Sequence, residues 1–372
     1  MNLFRIALFF LFFLIFGGCV RFRVDNLREE LFTKLKIGGT IDSVEARIAN
    51  NVLVNVPFSI PIADGFIYMN DIENSTIKVF DANGKLEKAL GNSNYHDAKN
   101  RLFIPTRLGV LGIVAVENED NLYVQNRITP QEGIQLKRDE NAYRMFSGSF
   151  DTSGNSFLPS FIVHLSGDGQ TKSILGASGK NSEPFRYIES IHTGGNGNLF
   201  VYHRIAEEMR LSYFKDGILE GELRESSFDI FKSEENKDYS ITLDLMIPNR
   251  KSNYALASFS FFSKDDKRFK FRRIYKLNYN ESHVDKVIKE IQDPSEILFS
   301  VLSNGNFYIW ETEGEGNSIR LQVYDTEGNH INNKRLSFPP PRGQWRETFM
   351  DSDDNLYSIR IKAGFFEIHK WN

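Results

Sequence analysis

The chain has 372 residues, 41% hydrophobic and 25% charged, which is enough apolar material for a large core in water. A net charge of −4 leaves no electrostatic footprint for nucleic acid as a partner. A single cysteine, Cys19, excludes an intrachain disulfide framework and any zinc site built on cysteines.

The amino terminus has three parts. Arg5 and the terminal amine precede an unbroken apolar run, Ile6–Phe16 (IALFFLFFLIF), and Gly17-Gly18-Cys19 follows it. A basic start, a short apolar stretch and small residues at the cut predict a signal peptide over 1–18. The run falls short of the ~20 residues a spanning helix needs. Ile15-Phe16-Gly17-Gly18-Cys19 resembles the lipobox of bacterial lipoproteins, although Phe16 stands where Leu is usual; spirochaete-type lipoboxes are looser there. The resemblance implies that Cys19 is diacylated, becomes the first residue after cleavage and holds the protein on a membrane. The readings beside it are an uncleaved anchor and a buried free cysteine. Residue 20 is Val rather than Asp, so the inner-membrane retention signal of some bacteria is absent. The expected location is therefore the cell envelope, at the outer membrane.

Val20–Lys36 (VRFRVDNLREELFTKLK) carries Leu27, Leu31 and Leu35 at i, i+4 and i+8. That spacing predicts a tether ending in a short amphipathic helix over 19–39, stopped by Ile37-Gly38-Gly39. Thr40–Ile48 and Asn51–Val56 alternate as strands do.

From there a phrase recurs: a strand, a polar turn, then Asn or Gly before an aromatic strand start. Its copies are Phe58–Asp71, Leu111–Asn126, Ile188–His203, a degenerate Ile241–Ser258, Ile297–Thr312 and Glu347–Ile361. Each is followed by a strand–turn–strand segment, as in IKVFDANGKLEKALG and LQVYDTEGNHINNKRL, which reads as a hairpin. One copy alone leaves a sheet face unburied, so the copies must stack. Six such units predict an all-β fold, a six-bladed β-propeller over 40–372; the count is seven if the 127–160 insertion holds a blade. The last unit has three strands and ends at Trp371-Asn372, so an N-terminal strand must complete it. Thr40–Val56 is the expected donor, with Val20–Leu31 contributing only a tether.

The strand–DGNΦYΦ–strand–DxxGK pattern, with Φ an apolar residue, resembles the NHL and six-bladed propeller superfamily. LFTKLKIGGTIDSVEARI followed by DGFIYMNDIENSTIKVFDANGKL, behind a lipobox, resembles an uncharacterised family of spirochaete-type propeller lipoproteins. The resemblance spans nearly the whole chain and implies fold and export. It implies no reaction, because propellers host unrelated functions.

Candidate chemistry is sparse. Propeller enzymes of the lyase and lactonase kinds hold a metal on the axis with residues of the inner strands. Only His192, Glu189, Asp244 and Asp351 stand out there, and polar groups hydrogen-bonded at a channel mouth explain them equally. Asp351–Asn355 and Glu117–Asn121 have the composition of calcium loops without the EF-hand pattern, and polar turns share that composition. Lys264–Lys276 (KDDKRFKFRRIYK) is a basic run in which Phe269 and Phe271 alternate with Lys270 and Arg272, giving one apolar and one cationic face, with Lys270, Arg272 and Arg273 as its candidate contacts. It suits anionic lipid or an acidic partner, or else an edge strand guarded against aggregation. There is no P-loop and no GxSxG elbow. Loops 92–104 and 127–160 offer the most room for a binding surface. The expected function is a membrane-anchored binding or scaffold module with a protein partner and no cofactor. The rivals are a metal-dependent propeller hydrolase or lyase with an axial site, and a structural envelope protein.

Overall fold

The computed structural model describes residues 24–45, 48–49, 52–53, 59–92, 100–127, 160–176, 185, 187–205, 207–279, 284–314, 318–338 and 346–372. Two strands come first, β1 (Val24–Asn26) and β2 (Glu29–Lys36), then a minimal hairpin, β3 (Ile48–Ala49) with β4 (Val52–Leu53). Blade 1 is β5 (Ile62–Ala63), β6 (Phe66–Asp71), β7 (Thr76–Phe80) and β8 (Leu86–Gly91), widened by β9 (Phe103–Pro105) running parallel to β8. Blade 2 is β10 (Val110–Asn118), β11 (Asn121–Arg127), β12 (Phe161–Leu165) and β13 (Thr171–Leu175). Blade 3 is β14 (Tyr187–Gly195), β15 (Asn198–Ile205), β16 (Glu208–Lys215) and β17 (Ile218–Arg224). Three short 3-10 turns between Glu225 and Asn236 lead into blade 4: β18 (Tyr239–Pro248), β19 (Tyr254–Ser263), β20 (Phe269–Asn278) and β21 (Val284–Ile291). Blade 5 is β22 (Ile297–Val301), β23 (Phe307–Glu313), β24 (Ser318–Tyr324) and β25 (His330–Ser337). Blade 6 has β26 (Arg346–Met350), β27 (Leu356–Lys362) and β28 (Phe365–Trp371) from the C-terminal end of the chain. The fold is therefore an all-β, six-bladed propeller.

The repeated phrase works because its aromatic faces the neighbouring blade. Among the described residues, apolar clusters fill the six blade–blade junctions. Tyr68 joins the cluster shared with blade 2, Tyr123 the one with blade 3, Phe200 the one with blade 4, and Tyr357 the one with blade 1. No sheet buries both faces without its neighbours, so the stack has to close on itself.

Closure comes from the N-terminal segment, though not from the stretch expected. The outer strand of blade 6 is β2, antiparallel to β28 from Glu29↔Trp371 to Lys36↔Phe365. Just before it, β1 pairs in parallel with β25 at the rim of blade 5. The amphipathic helix predicted to end near Lys36 is thus a strand, and Thr40–Val56 contributes a β-bridge-stabilised loop and a two-residue hairpin. The unpaired edge of β28 offers a ladder that outweighs local helix propensity. A register shift between Leu31 and Thr33 turns Thr33 and Leu35 inward and leaves Leu31 exposed, so the leucine spacing of four is incidental.

Two glycines show how tightly each blade seats on the one before. At Gly84, in the β7–β8 turn, a Cβ would collide with the Lys34 carbonyl oxygen of β2. At Gly328, in the β24–β25 turn, it would collide with the Ile288 carbonyl of β21. Both have positive φ, 78° and 83°, so backbone conformation and space each demand glycine. β2 occupies, for blade 1, the place that β21 occupies for blade 5.

The closing sheet also carries a charge network. Glu367 on β28 pairs with Lys34 of β2 at 2.8 Å and Arg360 of β27 at 2.9 Å. Burial pushes its pKa up, but hydrogen bonds and charge from Lys34 and Arg360 outweigh that and hold it at about 2, against 4.5 for a free side chain. A depressed carboxylate contributes stability that is complete above the unfolded pKa and is lost as pH falls through the folded one. Stability should therefore drop between about pH 4.5 and 2, by on the order of 3 kcal/mol for this group. Glu367→Gln is expected to flatten that limb in urea titrations run across this range. An unchanged pH dependence would rule the network out as its source.

Candidate functional site

Neighbouring strands within each four-strand set are antiparallel, so the turns joining first to second and third to fourth strands emerge on one face of the ring. The first-to-second turns are stitched to one another. Glu117 Oε1 accepts the Gly197 N–H at 3.0 Å, and Asn249 Nδ2 donates to the Leu302 carbonyl at 3.2 Å. Asp354 accepts both the backbone N–H and the hydroxyl of Ser303, the latter at 2.6 Å. Arg250, in the β18–β19 turn, reaches from blade 4 to blade 6 and donates to the Asp351 carbonyl at 2.6 Å.

Arg250 stands where two cavities meet. The first, about 220 Å³, lies among the inner strands and is walled by residues including Ile62, Val114, His192, Glu347 and Phe349. The second, about 610 Å³, opens between the turns of blades 3 and 4. Burial works against the charge of Arg250, while Asp354, Asp351 and Asp353 favour it. In the axial cavity Glu347 stays exposed to solvent, partial loss of hydration raises its pKa, and its carboxyl has no hydrogen-bond partner among the described residues. His192 is held neutral, its pKa lowered to about 3 by loss of hydration and by the charge of Arg250. Its Nε2 shares a hydrogen bond of 2.9 Å with the Ser190 hydroxyl. An activated serine needs a base with a pKa near the working pH and a third group to orient it. The lowered pKa works against this imidazole as a base at neutral pH, and no carboxylate among the described residues orients it.

The second cavity has an aromatic wall. Phe200, Tyr213 and Tyr279 are nearly parallel, with centroids 5.1, 5.6 and 5.2 Å apart and interplanar angles of 18°, 19° and 31°. At such separations the rings overlap only in part. The Tyr213 hydroxyl donates to Asn198 Oδ1 at 3.2 Å and that of Tyr279 to the Tyr254 carbonyl at 2.7 Å. Burial raises both tyrosine pKa values, so both hydroxyls stay protonated at neutral pH. Asn196, Arg250, Lys251 and Asn253 form the polar rim.

The four residues singled out as metal ligands do not converge. Glu189 pairs with Arg204 at 3.5 Å. Asp244 is held by Arg272 at 2.9 Å and by the hydroxyls of Ser258 and Ser260 at 3.2 and 2.7 Å. Asp351 caps its own turn, Oδ1 accepting the N–H groups of Asp353 and Asn355 at 2.9 and 2.8 Å. Among the described residues no three of His, Cys, Asp and Glu come together as a metal site.

The basic run is β20, an interior strand paired on one side with β19 and on the other with β21, so the edge-strand reading is corrected. Arg272 is buried against Asp244 and donates to the Glu296 carbonyl. Arg273 pairs with Glu290 at 2.8 Å and lies over the Phe271 ring at 4.6 Å. Lys270 is half-exposed and meets Asp266 at 3.4 Å. Cys19 and the 128–159 part of the long insertion lie outside the described residues. Sequence reading passed over Arg250 and Tyr279. Their only signal was that Pro248–Asn253 lacks both the Asp-Gly or Asn-Gly of this turn in blades 1, 3 and 5 and the acidic pair of blades 2 and 6.

No protein-family model matches the chain, and no curated protein does. Among solved structures it is similar to the WD40 domain of Toxoplasma gondii coronin, at 8% identity over 94% of this chain and 87% of that one, with a TM-score of 0.43. It is also similar to the β-propeller domain of the trilobed protease from Pyrococcus furiosus, at 11% identity over 84% and 81%, TM-score 0.42. A nidogen/laminin complex structure matches at 14% identity over 78% and 92%, TM-score 0.37. At such identities and scores these likenesses assign no function to this chain.

Proposed function

We propose that the protein is a lipid-anchored propeller of the cell envelope, at the outer membrane, that works as a binding module through the face bearing Arg250. The observation that carries the binding reading is the meeting of two cavities at one half-buried arginine, with an aromatic wall on one side. Pockets of ~300–1,000 Å³ with aromatic walls and a few placed polar groups are built to hold a ligand. To test this, a photo-crosslinking residue is placed at exposed Asn253 on the rim, or at exposed Asp265 in the β19–β20 turn of the same blade. Capture of an envelope component from intact cells at 253 and not at 265 is expected. Equal capture at both, or none at 253, would remove the reading.

The anchor rests on the apolar run and Gly17-Gly18 before Cys19. Only five residue steps separate Cys19 from the start of β1, a reach of at most ~18 Å at ~3.3–3.6 Å per residue. An acylated Cys19 would therefore keep the rim of blades 5 and 6 close to the bilayer. Fatty-acid analogue labelling of cells is expected to mark the wild type and to miss Cys19→Ser. Equal labelling of the two would rule out this attachment point.

A further inference from the structure

We infer that the cavity between blades 3 and 4 takes an anionic saccharide, a sugar ring bearing a carboxylate; this rests on the binding-module reading and deepens it. Phe200 is buried in the cluster between blades 3 and 4, and half-buried Tyr213 and Tyr279 pack against it as a single wall, so these two tyrosines offer one side to a guest. A flat heterocycle gains most when it slides between two ring faces, and no second aromatic wall lines this cavity. A pyranose presents C–H groups on one face and hydroxyls around its edge, which is what a one-sided aromatic wall with a polar rim accommodates.

Asn196, Asn198, Ser252 and Asn253 supply amide and hydroxyl groups, which can donate to and accept from sugar hydroxyls. Arg250 and Lys251 line the cavity and no carboxylate does. Arg250 gives one hydrogen bond to the Asp351 carbonyl and has no carboxylate within ion-pair distance among the described residues. Its remaining guanidinium donors form a planar fork, the geometry that grips a carboxylate. Lys251 is exposed at the entrance and adds a second, mobile cation. Asp351, Asp353 and Asp354 act on Arg250 from beyond ion-pair distance, so a neutral sugar would use the wall and the amides and leave Lys251 and the free guanidinium donors without a direct partner.

The test is calorimetric titration of the full chain with a disaccharide ending in a hexuronate, and with its uncharged hexose counterpart. The hexuronate is expected to bind at least tenfold more tightly, and its affinity to fall as salt is raised. Lys251→Gln should weaken it about threefold to tenfold, and Tyr213→Ala should abolish measurable binding. Tyr213→Phe, which keeps the ring, should recover most of what Tyr213→Ala loses, and melting curves confirm that each variant is folded. Equal affinity for the two sugars, no binding of either at millimolar concentration, or better competition by a nucleotide than by the hexuronate would each overturn the inference. A specific crosslink at Asn253 together with any of those results would leave the binding module standing and the saccharide refuted.

Discussion

A chain that begins at Ile37 is expected to lose cooperative unfolding and to elute as an aggregate, while one that begins at Val24 melts like the full chain. The shortened chain keeps every strand from β3 onward but loses the outer strand of blade 6. Seven residue pairs between β2 and β28 go with it. So does Leu35, fully buried in the cluster between blades 6 and 1, and the cover over Phe366 and Ile368, both fully buried beside it. Burying a large aliphatic or aromatic side chain contributes ~1.5–3 kcal/mol, so even partial exposure of these three removes on the order of 5 kcal/mol. Glu367, nearly fully buried, would also lose Lys34, and His369 would lose Glu29 at 3.4 Å. A whole domain is stable by only ~5–15 kcal/mol, so the loss is of the same size as the total. A chain that begins at Leu27 separates the two N-terminal strands. It lacks only β1, three residues at the outer edge of blade 5, and should melt a few degrees lower with its transition intact. If the Ile37 chain unfolds cooperatively at an unchanged temperature, β2 is not what closes the ring.

Much of this architecture was legible because it is repeated. The inner strands, the hairpin halves and the marker aromatics Tyr68, Tyr123, Phe200, Tyr308 and Tyr357 fall where the recurring phrase places them, each aromatic on the second strand of its blade. The need for an N-terminal strand followed from a last unit with three strands. Which strand would serve was not legible, because β2 has the composition of a helix and becomes a strand only against β28. The same limit hid the site. Arg250, Glu347 and Tyr279 come from blades 4 and 6 and gain meaning only when the ring brings their turns together. In the basic run, alternation gave the strand correctly, but not that β21 covers its far side, which removes the edge-strand reading, or that Asp244 and Glu290 pair with Arg272 and Arg273.

Lys78→Met is expected to destabilise the protein by ~3–5 kcal/mol in urea unfolding, although the side chain touches neither cavity. Lys78 lies on β7 with its side chain wholly removed from solvent, and it pairs at 2.6 Å with Asp71 of β6, also wholly buried. Its ammonium also donates to the carbonyls of Thr40, at 3.2 Å, and Ser43. Those two carbonyls belong to the loop that leaves β2, so one buried cation fastens the closing segment to blade 1. The loop is otherwise held by Val44, buried in the cluster between blades 6 and 1, by Ile37 and Ile41 packed against that cluster, and by Glu45, whose N–H and carboxylate meet Asp71 and Asn74. Removing the cation leaves the Asp71 carboxylate buried, with only Asn74 and the Glu45 N–H to answer it among the described residues, at 3.0 and 3.3 Å. An uncompensated buried charge costs more than the pair ever contributed, since desolvation offsets most of the attraction while both partners are present. Replacing both partners should therefore do less harm than replacing one. Lys78→Met combined with Asp71→Leu is expected to recover at least half of the stability that Lys78→Met loses, with a coupling well outside additivity. Two carbonyls still lose their donor in the double variant, so recovery stays incomplete. A loss below about 1 kcal/mol for Lys78→Met, or strictly additive single substitutions, would mean that the N-terminal segment is held by the β2–β28 ladder and the loop's other contacts without Lys78.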